Sequence, residues 1–319
     1  MSVYTNIANN FTIYVGSVFF IVGILGNIIN ACIFYKNHRN PSTLLLFVAS
    51  CFNFIDVFIG ILTRLMSAGL NIDVAANSLG WCKARYFLIQ FCALTSFSTL
   101  CYATIDQYFI TSQSETLRRL SKISNVRRVL CILILFWILY SIPLALFSSL
   151  TQLSDGRTVC VFSIDLGYIR FASYFGLPVV WGIAPISILI IFGILTYRNI
   201  SLLRNARNRD EAHRHLTSMI LLHIIFIVFG TLPYAFYYTY SAITLFTAKT
   251  TDRKDLETCI SNIVAVILYC PNSCAFLVYY VASATYQKQV KKFLHIPDRA
   301  TQIAPVPSAT IEPNTRPTI

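Results

Sequence analysis

Seven apolar runs, at about 12–35, 42–66, 85–110, 129–150, 170–197, 216–245 and 258–281, constrain this chain more than any other feature. Each exceeds the ~20 residues that an α-helix needs to cross the hydrocarbon of a bilayer. A backbone in lipid must satisfy its own hydrogen bonds, so only helices and closed barrels can span it. The runs show no ten-residue alternation of the barrel kind. Composition agrees: 12% of the 319 residues are charged, about half the ~25% of a soluble domain, and the mean hydropathy is +0.63. So little polar surface cannot cover a globule in water. The expected fold is an all-α membrane protein, a seven-transmembrane helix bundle. One domain over 12–294 accounts for all seven runs.

Charge sets the orientation. The 25 Lys and Arg against 13 Asp and Glu give +12, a balance that would suggest nucleic acid in a soluble chain. In a membrane protein, basic residues collect in cytoplasmic loops. Seventeen of the 25 lie on the side of the C-terminal tail. The tail is therefore expected in the cytoplasm and residues 1–11 outside the cell, as in a multi-pass plasma-membrane protein. The first ten residues lack the basic start of a cleaved signal peptide, so the first run reads as a retained signal anchor. Asn10-Phe11-Thr12 is a glycosylation sequon, meaningful only with an external N-terminus. After the last run, residues 284–294 set Tyr286, Val290, Phe293 and Leu294 against Lys288, Lys291 and Lys292. That is an amphipathic helix lying in the headgroup plane. Residues 295–319, with five prolines, read as a disordered cytoplasmic tail.

Two acids stand in costly places. Asp56 and Asp106 alone fall within the runs, and a charge at the bilayer centre costs roughly 2.5–3.5 kcal/mol on insertion scales. Asp56 sits deep in the second run, where protonation and hydrogen bonds would hold it. Asp106 lies near the cytoplasmic end of the third. Seven of the ten cysteines lie inside runs and read as small apolar residues. Cys82 and Cys160 fall on the oxidising side. Their disulfide would tie the loop between runs four and five onto the top of the third; Cys259, at a loop–helix border, competes for either partner. Residues 157–163 alternate like a strand and suggest a hairpin lid. Neither a phosphate-cradling glycine loop nor HExxH is present, and the five histidines are scattered. No enzyme chemistry or metal site is expected.

In order along the chain, the landmarks resemble those of rhodopsin-like (class A) G-protein-coupled receptors over about 12–294. Gly26-Asn27 resembles the first-helix pair and Asp56 the second-helix aspartate. Asp106-Gln107-Tyr108 is similar to the Asp-Arg-Tyr triplet at the foot of the third helix. Trp137 and Pro143 suit the fourth helix, Pro185 and Tyr197 the fifth, Pro233 the kink of the sixth. Asn272-Ser273-Cys274 and Tyr280 resemble the seventh-helix signature, and Tyr286 opens the eighth helix. The resemblance implies a Cys82–Cys160 disulfide. It also implies an internal sodium pocket among Asn27, Asp56, Ser96, Asn272 and Ser273, with no other cofactor. The switch would use Asp106, Gln107, Tyr108, Tyr197, Pro233 and Tyr280, with Arg204, Arg207 and the eighth helix completing a G-protein contact surface.

Departures from the pattern matter as well. Gln107 replaces an arginine, and a neutral amide can hydrogen-bond but not ion-pair. Thr231 stands at the usual tryptophan position, and Phe276-Leu277 precedes Tyr280. Ile89 removes the aspartate of amine receptors, and Cys270 the lysine of opsins. The external mouth mixes Arg64, Lys83, Arg85 and Arg170 with Asp165, Asp255 and Glu257, with Arg64, Arg85, Ile89 and Gln90 as candidate ligand contacts. That suits a peptide, slightly favoured, or an acidic small molecule, the latter making the protein a chemosensory receptor. A small transporter would show inverted repeats, and none is found. A non-signalling membrane protein of the same fold is kept open by Gln107.

Overall fold

The computed structural model describes residues 3–70, 72–152, 156, 158–162, 166–203, 211–244 and 247–296. Among these residues, seven helical stretches are long and apolar enough to cross a membrane, and the protein is a multi-pass membrane protein with a seven-helix bundle. The first four spans are α1 (Val3–Lys36), α2 (Pro41–Leu70), α3 (Leu79–Thr111) and, after the short α4 (Glu115–Leu120), α5 (Ile123–Leu146). Next come two strands, β1 (Ser148–Gln152) and β2 (Thr158–Phe162). The fifth span runs through α6 (Leu166–Phe171), a π-helical stretch (Ala172–Ile183) and α7 (Ala184–Leu203). The sixth is α8 (Glu211–Ile243), and the seventh is split into α9 (Thr251–Ile267) and α10 (Cys270–Ala282). The amphipathic α11 (Ala284–Phe293) follows.

Local chemistry explains the boundaries. The Asn40 side chain accepts from the N–H groups of Ser42 (3.1 Å) and Thr43 (3.4 Å), which starts α2. Ser78 caps α3 and Ser283 caps α11 in the same manner. Pro271 lacks an N–H, and the seventh span breaks just before it. The wide turns of the π-stretch, which contains Pro178, loosen the fifth span near one end.

α3 is the central rod, packed against α2, α5, α7 and α8. The main core fills the half of the bundle around Leu45, Leu100, Leu189, Met219 and Tyr279. β1 and β2 pair antiparallel, with Leu150 opposite Cys160, and the turn holds Gly156 at φ 82°. The expected lid is thus a hairpin. It is bonded to the top of α3 through the Cys82–Cys160 disulfide, while Cys259 is a free, buried thiol in α9. Of the in-span cysteines, Cys131 faces outward rather than into the core.

The helix of the first span begins earlier than residue 12 and takes in residues 3–11. Asn10 is exposed on that helix, and Thr12 of its sequon is packed inward. The sequence places the start at residue 12 because the polar Thr5, Asn6, Asn9 and Asn10 interrupt the apolar pattern, and a helix can project beyond hydrocarbon. The tail from 297 onward lies outside the described residues.

Candidate functional site

Three polar sites are strung along α3, and they divide the work by depth.

Beneath the hairpin, six spans enclose a cavity of about 430 Å³. α2 contributes Arg64; α3 contributes Arg85, Tyr86, Ile89 and Gln90; Tyr140 comes from α5. The π-stretch presents Gly176 and Trp181, α8 presents Tyr234 and Tyr238, and Tyr269 closes the seventh-span side. The four candidate ligand contacts, Arg64, Arg85, Ile89 and Gln90, are thus brought together. Arg85 Nε donates to Thr63 Oγ1 at 3.1 Å, and Arg64 hydrogen-bonds Tyr269. Gly60 is needed below Arg64, because a Cβ there would overlap the Tyr269 hydroxyl. Tyr234 and Tyr238 lie with ring centroids 4.4 Å apart, and Trp181 stands 6.1 Å from Tyr234.

One of the acids expected at the mouth is employed elsewhere. Glu257 accepts from Lys249 (2.6 Å), Arg253 (3.1 Å) and Tyr240 (2.9 Å), a network at the start of the seventh span. Asp165 lies outside the described residues, and Arg170 is exposed on α6.

Lower down, Asp56 anchors a buried chain. Asn272 Nδ2 donates to Asp56 Oδ2 at 3.0 Å, and Asn27 Nδ2 donates to the Asn272 carbonyl at 2.9 Å. Ser96 is not bonded to Asp56. Its hydroxyl donates to Asn53 Oδ1, one turn earlier on α2, so the pocket expected from the sequence is divided in two. Asn53 was detectable as a polar residue three positions from Asp56 in an apolar run. Asp56 Oδ1 and Ser273 Oγ are buried without a hydrogen-bond partner among the described residues. A recess of about 40 Å³ borders Asp56 and Asn272. Of these two atoms only the carboxylate belongs to a residue that lines the recess, where a partnerless oxygen and room for about one small sphere suit a hard monovalent cation. Among the described residues, no cluster of three His, Cys, Asp or Glu side chains exists for a transition metal. Thr231 and Trp181 both line this recess. The indole absent from the sixth span is therefore supplied by the fifth.

At the foot, Asp106 is 0% exposed and Gln107 1%. Asp106 accepts from Ser42 Oγ at 2.6 Å and from the Ser121 hydroxyl. Gln107 Nε2 donates to Ser42 Oγ at 2.7 Å, and its Oε1 accepts from Thr217 Oγ1 at 2.7 Å. One neutral amide thereby ties the third span to the second and the sixth. Tyr108 packs edge-on against Phe192 of α7 at 5.5 Å. Arg204 and Arg207 lie outside the described residues.

Two of the expected switch residues lie outside the packed interior. Tyr197 is 66% exposed and faces away from the bundle. Tyr280 is only partly buried and stacks near Phe276. Its neighbour Tyr279, 2% exposed, is the tyrosine inside. The Tyr279 hydroxyl lies 3.1 Å from His223 Nδ1, and His223 Nε2 lies 3.0 Å from the Pro271 carbonyl. A carbonyl only accepts, so Nε2 carries the proton and Nδ1 accepts from Tyr279. His223, Thr217 and Ser42 gave no sequence signal beyond polarity in an apolar stretch. Next to Pro233, Gly230 lets the Pro271 ring approach: a Cβ there would sit 2.7 Å from Pro271 Cδ.

Residues 167–297, from the start of the fifth span through the eighth helix, match the family described as serpentine type 7TM GPCR chemoreceptor Srw. Together with the seven spans, that match supports a divergent seven-transmembrane G-protein-coupled receptor. No curated protein matches its sequence. A receptor of this kind is not an enzyme.

Proposed function

We propose that this receptor is a chemosensor: its hairpin end faces the cell exterior, takes a small ligand into the tyrosine-lined cavity, and its foot engages a heterotrimeric G protein. The single observation that carries this reading is the construction of α3. One rigid helix lines the cavity with Arg85 and Gln90 at its upper end and holds the Gln107 latch at the other. From Cys82 to Tyr108 that rod spans roughly 39 Å, enough to join two water faces. The charge asymmetry of the loops supports the same orientation in the plasma membrane.

Activation is a population shift. With the latch closed, Gln107 holds the foot of α8 through Thr217. Ligand contacts with Trp181, Tyr234 and Tyr238 favour an arrangement in which α8 pivots near Gly230 and Pro233 and Thr217 leaves Gln107. The vacated surface, with Tyr108 and α11, receives the G protein. A sodium ion would be held at Asp56, where it would neutralise the buried acid and favour the latched state. A cavity of this size favours a small molecule over the peptide suggested by the sequence, since a peptide could seat only its terminal residues.

The test is ligand-dependent nucleotide exchange in cells expressing the full chain with each Gα class in turn, screened against a chemically diverse panel. Exchange with at least one Gα class is expected. Silence toward every class, together with normal surface expression, would overturn the coupling role.

A further inference from the structure

We infer that the cavity beneath the hairpin is an anion site: the buried end of its ligand is a carboxylate, gripped by Arg64 and Arg85, and the ligand body is a small flat apolar group. This rests on the reading of that cavity as the ligand site.

The charge inventory carries it. Two guanidiniums line the cavity, its other polar groups are Gln90 and tyrosine hydroxyls, and no acid among the described residues lines it. Neither arginine makes an ion pair with a described carboxylate. At the same end of the bundle, Lys249 and Arg253 are both matched to Glu257. The chain thus pairs its cations where they serve structure and leaves these two for something else. A partly buried charge inside a membrane bundle is costly unless neutralised, so an incoming anion gains what the protein has not supplied.

Geometry narrows the class. Thr63 donates its hydroxyl to the Ile59 carbonyl at 2.8 Å and accepts Arg85 Nε; the guanidinium lies 5.6 Å from the Tyr86 ring, and its terminal nitrogens have no described hydrogen-bond partner. A guanidinium fork matches the two oxygens of a carboxylate. The walls beyond the arginines are rings: Trp181, Tyr234, Tyr238 and Tyr140, faces on which a flat body stacks. About 430 Å³ falls within the range of small-molecule pockets. A cationic ligand would meet two like charges, and a neutral one would leave both unmatched.

The experiment uses the full-length receptor in lipid nanodiscs, with its melting followed by tryptophan fluorescence. The probes are benzoate, phenylacetate, indole-3-acetate and straight-chain carboxylates, each beside its primary amide. Dipeptides with free or amidated C-termini run in parallel. At least one acid should raise Tm where its amide does not. Arg64→Gln and Arg85→Gln should each weaken that acid about 10- to 100-fold, with Arg64→Lys retaining part of the affinity and Lys249→Gln all of it. Ligand-free melting in the same run reports folding; if Arg64→Gln lacks a transition, Arg64→Lys and Arg85→Gln decide. Binding of free but not amidated dipeptides supports the carboxylate and assigns it to a peptide end. Amides binding as tightly as acids, arginine variants with unchanged affinity, or a panel in which no acid moves Tm would each overturn the anion site. Neutral ligands that drive nucleotide exchange would sink it while sparing the receptor reading. Acids that bind yet never drive exchange would do the reverse.

Discussion

Thr217→Val isolates the latch. Valine keeps the β-branched shape and deletes the hydroxyl that donates to Gln107 Oε1 at 2.7 Å. Gln107 is 1% exposed and its other amide atom is held by Ser42, so in the closed state the acceptor cannot turn to water. A net hydrogen bond is worth about 0.5–1.5 kcal/mol, and an orphaned buried acceptor raises the cost to about 1–3 kcal/mol. Once the foot of α8 swings out, water reaches Gln107 and the variant pays nothing extra relative to wild type. The closed-to-open equilibrium therefore moves by about 1–3 kcal/mol, or roughly 5- to 150-fold. A receptor that is ~1% open without ligand becomes roughly 5–60% open. The assay is agonist-independent nucleotide exchange by purified receptor and heterotrimer, beside a fluorophore at the foot of α8 that reports its displacement. Thr217→Ser, which keeps the hydroxyl, should behave as wild type. A folded Thr217→Val receptor with wild-type basal exchange and an unmoved fluorophore would refute the latch.

Three further outcomes are expected. Gly230→Ala drives a Cβ against the Pro271 ring at 2.7 Å and the Ile267 carbonyl at 3.2 Å; overpacking at so rigid a contact should cost about 1–3 kcal/mol, read as a lower Tm, and an unchanged Tm would show that the spans can separate freely. Cys82→Ser opens a cross-link between positions 78 residues apart, should cost about 2–4 kcal/mol, and should lower surface expression in a flow-cytometry assay. Sodium chloride, compared with choline chloride, should raise the Tm of wild type and leave Asp56→Asn flat; equal shifts in both proteins would remove the ion from Asp56.

The sequence by itself settled the class of fold, because hydrocarbon thickness imposes a minimum length on every crossing helix and the loops carry a lopsided charge. It also located the oxidised cysteines near one water face and the two buried acids, since both features are expensive enough to stand out locally. Which groups meet was decided by tertiary packing. Ser96 turned to Asn53 rather than Asp56, and Tyr279 rather than Tyr280 entered the bundle, because helix rotation is fixed by neighbouring spans and a one-residue change of phase turns a side chain by about 100°. The latch between Gln107 and Thr217 joins residues 110 positions apart; no local pattern could couple them, and only the packing of α8 beside α3 did.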